Sequence, residues 1–145
     1  MKRFIASLLC LMLVLSVVGC GHKMKFDSSD VTMEAIVESI TPSGLKVRIS
    51  NNSNVDIYGG IADDFIIEKL EIDSRFPIEE ITERSNNTEV FIFSGERDLT
   101  INWSELYGSL SEGEYRVVKS FFPCTEDGTY TSEDTFYLTA EFCIK

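Results

Sequence analysis

The chain has 145 residues and a formal net charge of −11, and 43% of its residues are hydrophobic. This length is suited to one domain and is short for two, and the apolar content is too high for a disordered chain. Nucleic-acid binding needs clustered lysine and arginine on a basic face, so the acidic balance argues against a nucleic-acid partner.

An export signal is predicted at the N-terminus. Lys2 and Arg3 form a positive segment, and the apolar run at 4–18 is shorter than the ~20 helical residues that cross a bilayer. The run ends in VVGC at 17–20, a sequence that resembles a bacterial lipobox. That resemblance implies cleavage before Cys20 and a diacylglyceryl group on its sulfur. The alternative is an ordinary cleaved signal peptide in which Cys20 has no role.

Three segments follow from this assignment. Residues 1–19 are predicted to be the signal peptide, residues 20–30 the lipidated cysteine and a short polar tether, and residues 31–145 one domain. Removing the signal deletes two basic residues and no acidic residue, so the formal net charge changes from −11 to −13. Lipid chains on Cys20 would anchor the protein to the extracytoplasmic face of the cell membrane. The acidic domain is expected to stand off from an anionic bilayer.

Two alternating runs open the domain, and alternation of apolar and polar residues is typical of half-buried strands. Residues 31–40 and 45–50 flank TPSG at 41–44, where proline and glycine hold the turn positions that they favour. The pattern predicts a hairpin whose first strand has one apolar face, formed by Val31, Met33, Ala35 and Val37.

The middle of the chain predicts shorter strands. Residues 58–60, Tyr-Gly-Gly, predict a bend or bulge at a sheet edge, because glycine weakens a regular strand. Residues 65–70 are apolar and β-rich, and residues 75–78 are expected to continue the same strand. The polar residues at 79–88 predict a connection on the surface.

The stretch at 99–122 predicts a crossover between two packed sheets. Asn102 is the expected N-cap of a short helical turn, and Gly108 is expected to end that turn with a positive φ. A second strand then begins near Tyr115, and Trp103 is expected to fill the core beneath the crossover. The apolar face of the turn consists of residues at helical spacing: Trp103, Leu106, Tyr107 and Leu110.

The last two strands predict an antiparallel hairpin around the polar loop at 124–134. Opposing Phe122 to Phe136 places Cys124 at the loop end and Cys143 at the far end of the hairpin. The two cysteines are then much further apart than the ~6 Å Cα separation of a disulfide. We therefore expect no disulfide between them. Alternation puts four residues of the last strand on the core face: Phe136, Leu138, Ala140 and Phe142.

About seven short strands with turn signals between them predict an all-β sandwich. Four segments carry a more specific pattern: YG at 58–59, FIIEKL at 65–70, WSELYGSL at 103–110 and GEYRVVK at 113–119. Together they resemble a bacterial immunoglobulin-like domain family, which occurs in small lipoproteins, chiefly of Gram-positive bacteria. The resemblance implies that the all-β domain is an immunoglobulin-like β-sandwich of about seven strands with an extracytoplasmic location, and it implies no established activity.

Three aromatic residues are predicted to have structural roles at the crossover. Tyr115, two residues after Gly113, is a candidate for a tyrosine corner, in which the hydroxyl bonds to backbone just upstream. Trp103 and Tyr107 are expected to pack beneath it. Arg116, beside the candidate corner, is expected to be a solvated residue on the outer side of its strand.

No catalytic constellation is visible in the sequence. The one histidine, His22, lies two residues after Cys20 and outside the predicted domain. This position argues against Ser–His and Cys–His catalysis and against most zinc sites. No glycine loop for phosphate and no cofactor motif is present, so we expect neither enzyme activity nor a cofactor.

Calcium is an alternative for the acidic loop before the last strand. Calcium takes oxygen ligands from flexible loops, although this loop lacks the alternating acidic order of an EF-hand. A solvated loop is the favoured interpretation. The weak calcium candidates are four carboxylates: Glu126, Asp127, Glu133 and Asp134.

The sequence favours a membrane-anchored lipoprotein with a non-catalytic binding domain. Such a domain would present loops or a sheet edge to a protein partner at the cell envelope. One alternative is an accessory or sensory subunit that docks on a membrane enzyme or a signalling protein. A hydrolase is a third hypothesis, for which the sequence offers no catalytic group.

Overall fold

The computed structural model describes residues 26–59, 64–84, 91–125, 127–129 and 132–145. Within these residues, strands account for most of the structure, and the helical segments are single short turns. The helical turn α1 spans Ser104–Tyr107. The strands are β1 (Val31–Ala35), β2 (Gly44–Asn51), β3 (Ile57–Gly59), β4 (Phe65–Glu71), β5 (Ser74–Pro77), β6 (Phe91–Phe93), β7 (Gly95–Asn102), β8 (Gly113–Pro123) and β9 (Phe136–Ile144).

The strands form two antiparallel sheets. The smaller sheet has the order β1-β2-β7. The larger sheet is built around β8, which pairs with β9 on one side and with β4 and β3, end to end, on the other. β5 pairs with β4, and β6 pairs with β3, at the far edge of this sheet. The predicted all-β sandwich is confirmed, with nine strands in the described residues where about seven were predicted.

The core between the sheets follows the alternation of the two longest paired strands. Every second residue of β8 from Tyr115 to Pro123 is buried, and the side chains between them are half-buried. In β9 the buried residues include Leu138, Ala140 and Phe142, as the sequence predicted. Full burial of such a large apolar side chain contributes about 1.5–3 kcal/mol, so this core is the main source of stability.

The predicted first hairpin is present, and its first strand is shorter than expected. β1 pairs with β2 from Val31–Asn51 to Ala35–Val47, and then a 3-10 turn at Val37–Ser39 replaces the strand. The expectation that Val37 faces the core is wrong, because its side chain is 76% exposed. Ser39 explains the early end of the strand. Its hydroxyl accepts from the backbone N–H of Lys46 (2.7 Å) and so replaces a strand partner.

The expectation that residues 75–78 continue the preceding strand is also wrong. β5 doubles back antiparallel to β4, and Glu71 pairs with Ser74 around a two-residue turn. The turn residues Ile72 and Asp73 have φ values of 44° and 64°. Positive φ at both positions matches a type I′ turn, whose usual sequence is Asn-Gly or Asp-Gly. Because Ile-Asp carries no such signal, the reversal was not predicted.

Gly59 lies inside the larger sheet. The expectation of a bend or bulge at a sheet edge at this position is therefore wrong. β3 is paired with β8 on one side and with β6 on the other. The ring of Phe91, on β6, lies over Gly59, where a Cβ atom would come within 2.2 Å of the ring. Glycine therefore leaves room for an aromatic ring against the strand, and the conformation of the strand does not require it.

Candidate functional site

The crossover from the smaller to the larger sheet runs from β7 through α1 to β8, as predicted. Its expected apolar face is buried, from Trp103 to Leu110. The N-cap of the helical turn is Trp103, so Asn102 lies one residue before the position that was predicted for it. The Asn102 side-chain oxygen accepts from the Ser104 backbone N–H over 3.0 Å. Gly108 ends the turn with a φ of 70°, as expected.

Trp103 fills the core beneath this crossover. Its side chain is fully buried, and its ring stacks on that of Phe142 with 5.2 Å between the ring centroids. The indole N–H donates to the carbonyl oxygen of Pro42 over 2.8 Å. The Trp103 backbone N–H donates to the carbonyl oxygen of Ser43 over 2.9 Å. Trp103 thus fixes the crossover to the turn of the first hairpin.

Tyr115 makes the hydrogen bond expected of a tyrosine corner. Its hydroxyl donates to the carbonyl oxygen of Ser111 over 2.9 Å. Its ring stacks on that of Phe142, with 5.6 Å between the ring centroids. Gly113 lies against this ring, where a Cβ atom would be 3.3 Å from it. The bond closes the segment that enters β8 by linking Tyr115 to the backbone four residues upstream.

Tyr107 belongs to a polar cluster with Glu80 and Arg84. Its hydroxyl donates to Glu80 Oε1 over 3.3 Å, and Glu80 forms an ion pair with Arg84. Arg84 also donates to the carbonyl oxygen of Phe65 over 2.7 Å. Burial raises the pKa of the Tyr107 hydroxyl, so the phenol stays protonated in this cluster. The cluster fastens the connection after β5 to α1 and β4.

Arg116 differs from its expected state as a solvated side chain. It is partly buried and forms an ion pair with Glu68, the residue directly opposite it on β4. On the same side of the sheet, Arg75 pairs with Glu141 over 2.6 Å. Cross-strand pairs of opposite charge stabilise a sheet, so these arginines act chiefly as bridges between strands.

Two buried polar residues were not predicted. Lys119 is 1% exposed, and its ammonium group donates to the carbonyl oxygen of Asp64 over 3.2 Å. Asn51 is also buried, and its side-chain amide donates to the carbonyl oxygen of Val55 over 2.9 Å. The sequence did contain a signal for the burial of Lys119. It lies two residues before Phe121, so the alternation of β8 places both side chains on the core face.

The two domain cysteines lie at opposite ends of the β8–β9 hairpin. Phe121 pairs with Phe136 and Glu114 pairs with Cys143, within one residue of the predicted register. Both thiols are free. Burial raises the pKa of the Cys124 thiol, and nearby Asp56 raises it further. A thiol with a raised pKa is a poor nucleophile at neutral pH.

The acidic loop is partly organised by its own hydroxyl groups. Asp127 Oδ1 accepts from the hydroxyls of Thr125 and Thr129, which hold the pKa of this carboxyl below its usual value. Among the described residues, no group of three His, Cys, Asp or Glu side chains could hold a metal ion. Glu126 lies outside the described residues, so calcium binding with Glu133 and Asp134 stays a prediction.

The lipidation candidate Cys20 and His22 both lie outside the described residues. In the part of the chain that is described, no helix is long and apolar enough to cross a membrane.

Two surfaces remain as candidates for binding. A shallow groove of about 620 Å³ lies on the smaller sheet, beside Lys46 and Arg48. The Arg48 guanidinium in this groove is already paired with Asp98, to which it donates two hydrogen bonds of 2.8 and 3.0 Å. The solvent-facing side of the larger sheet, here called the outer face, exposes apolar side chains. Its exposed and half-buried apolar residues are Tyr58, Ile66, Ile92, Val118, Phe122 and Tyr137.

Two antiparallel sheets with a tyrosine corner at the start of β8 define an immunoglobulin-like domain. Residues 27–142 match the family model described as a bacterial Ig-like domain, and the chain belongs to this family. Such domains are typically non-catalytic modules for extracellular interactions. No curated protein and no solved structure matches the chain significantly.

Proposed function

We propose that the protein is an extracytoplasmic lipoprotein, anchored through Cys20, whose domain binds a protein partner at the cell envelope. One juxtaposition in the sequence supports this proposal. The lipobox-like VVGC ends at Cys20, and the match to a family of extracellular interaction domains begins at residue 27. A lipid on Cys20 would hold the domain close to the membrane through a tether of a few residues.

The outer face of the larger sheet supports binding to a protein. Tyr137 is 67% exposed, and Ile66 and Ile92 are about half exposed on the same side of the sheet. Tyrosine is enriched among the residues that supply most of the binding energy at protein interfaces, and burial of exposed isoleucine side chains adds to it. Each of their strands is hydrogen-bonded to a neighbouring strand, so the backbone under this surface is held in the sheet before a partner binds.

Metabolic labelling with an alkyne analogue of palmitate tests the anchor. The full chain is expected to incorporate the label and to sediment with membranes. Cys20→Ala is expected to lose both properties and still be exported. Cys143→Ala, which removes an exposed thiol of the domain, is the matched control and should keep both. Unchanged labelling of the Cys20→Ala chain would contradict the anchor.

The accessory-subunit hypothesis is a second candidate, and the apolar outer face favours it because permanent partners bury apolar surface. Purification of the full chain from solubilised membranes separates the two. A membrane protein recovered in equal amounts, and lost with Tyr137→Lys, supports an accessory subunit. Recovery without a stoichiometric membrane protein supports a binding lipoprotein with a transient partner. Circular dichroism of Tyr137→Lys checks that the exposed substitution leaves the fold unchanged.

A further inference from the structure

Strand β7 forms one edge of the smaller sheet, because β2 is its one pairing partner among the described residues. Along such an edge, alternate residues point their backbone N–H and C=O groups away from the sheet. The hydrogen bonds of Lys46, on β2, show which residues of β7 these are. The Lys46 carbonyl oxygen accepts from the Ile36 N–H over 2.8 Å, on the side away from β7. The residue facing Lys46 is Thr100, so its backbone groups point away from β2 as well.

Alternation assigns the same orientation to Asp98 and Asn102, which lie two residues before and after Thr100. The Trp103 N–H, at an intervening position, instead donates to the carbonyl oxygen of Ser43 beside β2 over 2.9 Å. In the part of the chain that the structure describes, no backbone partner lies on the outward side of Asp98, Thr100 and Asn102. All three residues are exposed. Their outward backbone groups are called the open edge below.

The other strands at the margins of the described sheets are protected from pairing. β5 has four residues and ends in Pro77, β6 has three residues, and β1 lies alongside β9. Charged side chains also discourage pairing at an edge, and β7 carries three of them at 96–98. Residues 99–102, Leu-Thr-Ile-Asn, carry no charge and no proline. This half of β7 is therefore a template for an added strand.

The residues on either side of Thr100 make the open edge complementary to itself. If two copies of β7 run antiparallel with Thr100 facing Thr100, then Leu99 faces Ile101 on the core side. On the outer side, Asp98 then faces Asn102. Apolar residues thus face apolar residues, and facing threonines are a favourable cross-strand pair. The outer pairs are formed by the residues of the open edge, so each pair would exchange two backbone hydrogen bonds.

Local charges select this register, although the net charge of −11 opposes self-association in general. Arg48 forms ion pairs with both carboxylates of the edge, those of Glu96 and Asp98. With Thr100 at the centre, the two Asp98 residues lie about 14 Å apart, beyond the ~8 Å screening length at physiological salt. A register centred on Leu99 brings them within about 8 Å, and one centred on Asp98 places them directly opposite each other.

We propose that the chain forms a homodimer in which the open edges of two copies pair antiparallel, with the two-fold axis at Thr100. The contact joins the two smaller sheets into one continuous sheet, and it is closed because each copy uses the same residues. It goes beyond the proposed function and requires neither the lipid anchor nor an envelope partner. The outer face of the larger sheet takes no part in it and is left for that partner.

Cysteine crosslinking of the full chain tests the register. Thr100→Cys is placed in a Cys124→Ala, Cys143→Ala background, which removes the two free thiols of the domain. Facing Cα atoms of a hydrogen-bonded pair are about 5.5 Å apart, within the range of a disulfide. Mild oxidation should convert at least half of this chain to a covalent dimer. The background chain alone measures any dimer formed through Cys20.

Glu96→Cys in the same background is the matched control. Position 96 is exposed on the same edge and has the same backbone orientation. In the proposed register the two copies of residue 96 lie about 26 Å apart, because they are offset by eight residues. Glu96→Cys should therefore give less than a tenth of the dimer that Thr100→Cys gives.

Sedimentation velocity of the full chain in neutral detergent, under reducing conditions, measures the dimer without a crosslink. Thr100→Pro removes the outward N–H, which the fold does not use, and proline is tolerated where an edge strand faces solvent. Its dimer dissociation constant should rise at least tenfold with an unchanged circular dichroism spectrum. Thr100→Val keeps the N–H and the β-branched shape, and it should dimerise like the parent chain.

Several results would overturn the proposal. These are equal crosslinking at positions 100 and 96, a parent chain that sediments as a monomer, or a folded Thr100→Pro chain that dimerises like the parent. Crosslinking of Thr100→Cys in cells to a different protein would assign the edge to a partner's strand and would also overturn it. If Thr100→Pro loses its fold, the two crosslinking variants decide. A monomer with labelled Cys20 refutes only the dimer, and a crosslinked dimer with unlabelled Cys20 refutes only the anchor.

Discussion

The indole N–H of Trp103 donates to the carbonyl oxygen of Pro42 over 2.8 Å, and the Leu110 backbone N–H donates to the same oxygen over 2.9 Å. One carbonyl in the first hairpin turn therefore accepts hydrogen bonds from two points of the crossover. Trp103, the nearer of the two in sequence, lies 61 residues after Pro42. If the indole is removed, this oxygen keeps only the Leu110 backbone N–H as a donor, and one of its two hydrogen bonds to the crossover is lost.

Trp103→Phe is predicted to destabilise the domain by about 2–3 kcal/mol. The substitution leaves a cavity beside Phe142 and removes the indole donor to Pro42. Urea unfolding measures the loss. Phe76→Leu, at a half-exposed position, is the control and should change stability by less than about 0.5 kcal/mol. A Trp103→Phe domain as stable as the parent would contradict this role.

Tyr115→Phe is predicted to cost about 1–2 kcal/mol, because the carbonyl of Ser111 loses its donor while the ring keeps its packing. Tyr137→Phe removes the same hydroxyl from a side chain that is largely exposed, and it should be neutral. Equal effects of the two substitutions on the urea midpoint would show that the corner hydroxyl does not contribute.

Gly44→Ala is predicted to cost about 1–3 kcal/mol, because the new Cβ would lie 2.6 Å from the carbonyl oxygen of Ile101 and would push β2 away from β7. Gly95→Ala gives a useful comparison on the same pair of strands. Gly95 has a φ of 71° and no atom within 4 Å of an added Cβ, so only backbone strain of about 1 kcal/mol is expected there. Thermal unfolding should give Gly44→Ala a lower midpoint temperature than Gly95→Ala.

Stability should fall at alkaline pH partly through Tyr107. Burial raises the pKa of its hydroxyl above the ordinary value near 10, so the folded state keeps the proton longer than the unfolded state. This contribution is complete below pH 10 and is lost as the pH rises through the raised pKa. Tyr107→Phe should therefore flatten the alkaline decline of the unfolding free energy, measured in urea between pH 8 and 11. A parallel decline in both proteins would contradict the assignment.

Asp73→Gly is predicted to stabilise the domain by about 0.5–1 kcal/mol, because glycine adopts the positive φ of this turn without steric cost. Thermal unfolding of the full chain measures the gain. Gly95→Ala reverses the same exchange at another positive φ and should shift the midpoint in the opposite direction. A midpoint lowered by Asp73→Gly would show that Asp73 contributes contacts beyond its backbone conformation.

The predictable parts of this fold are those in which alternation and burial agree. The faces of β9, the buried turn at Trp103 and the corner hydroxyl of Tyr115 follow directly from residue spacing. At Lys119 alternation was correct, and polarity alone gave no indication that its long apolar stem could lie in the core.

The mispredicted parts depend on tertiary contacts or on unusual turn residues. Val37 follows the alternating pattern, yet the Ser39 hydroxyl ends the strand before it. Ile72 and Asp73 form a turn that Asn-Gly would have signalled. The outer face was also beyond prediction, because it depends on how β3 and β4 align along one side of β8.

The ring of Phe142 lies between those of Trp103 and Tyr115, at 5.2 and 5.6 Å. Chains are made from the N-terminus, so both partner rings are synthesised well before this one. Until residue 142 has left the ribosome, the crossover has no third ring to close upon, and β8 lacks its longest neighbour. Completion of the sandwich is thus a late event in synthesis that depends on the last strand.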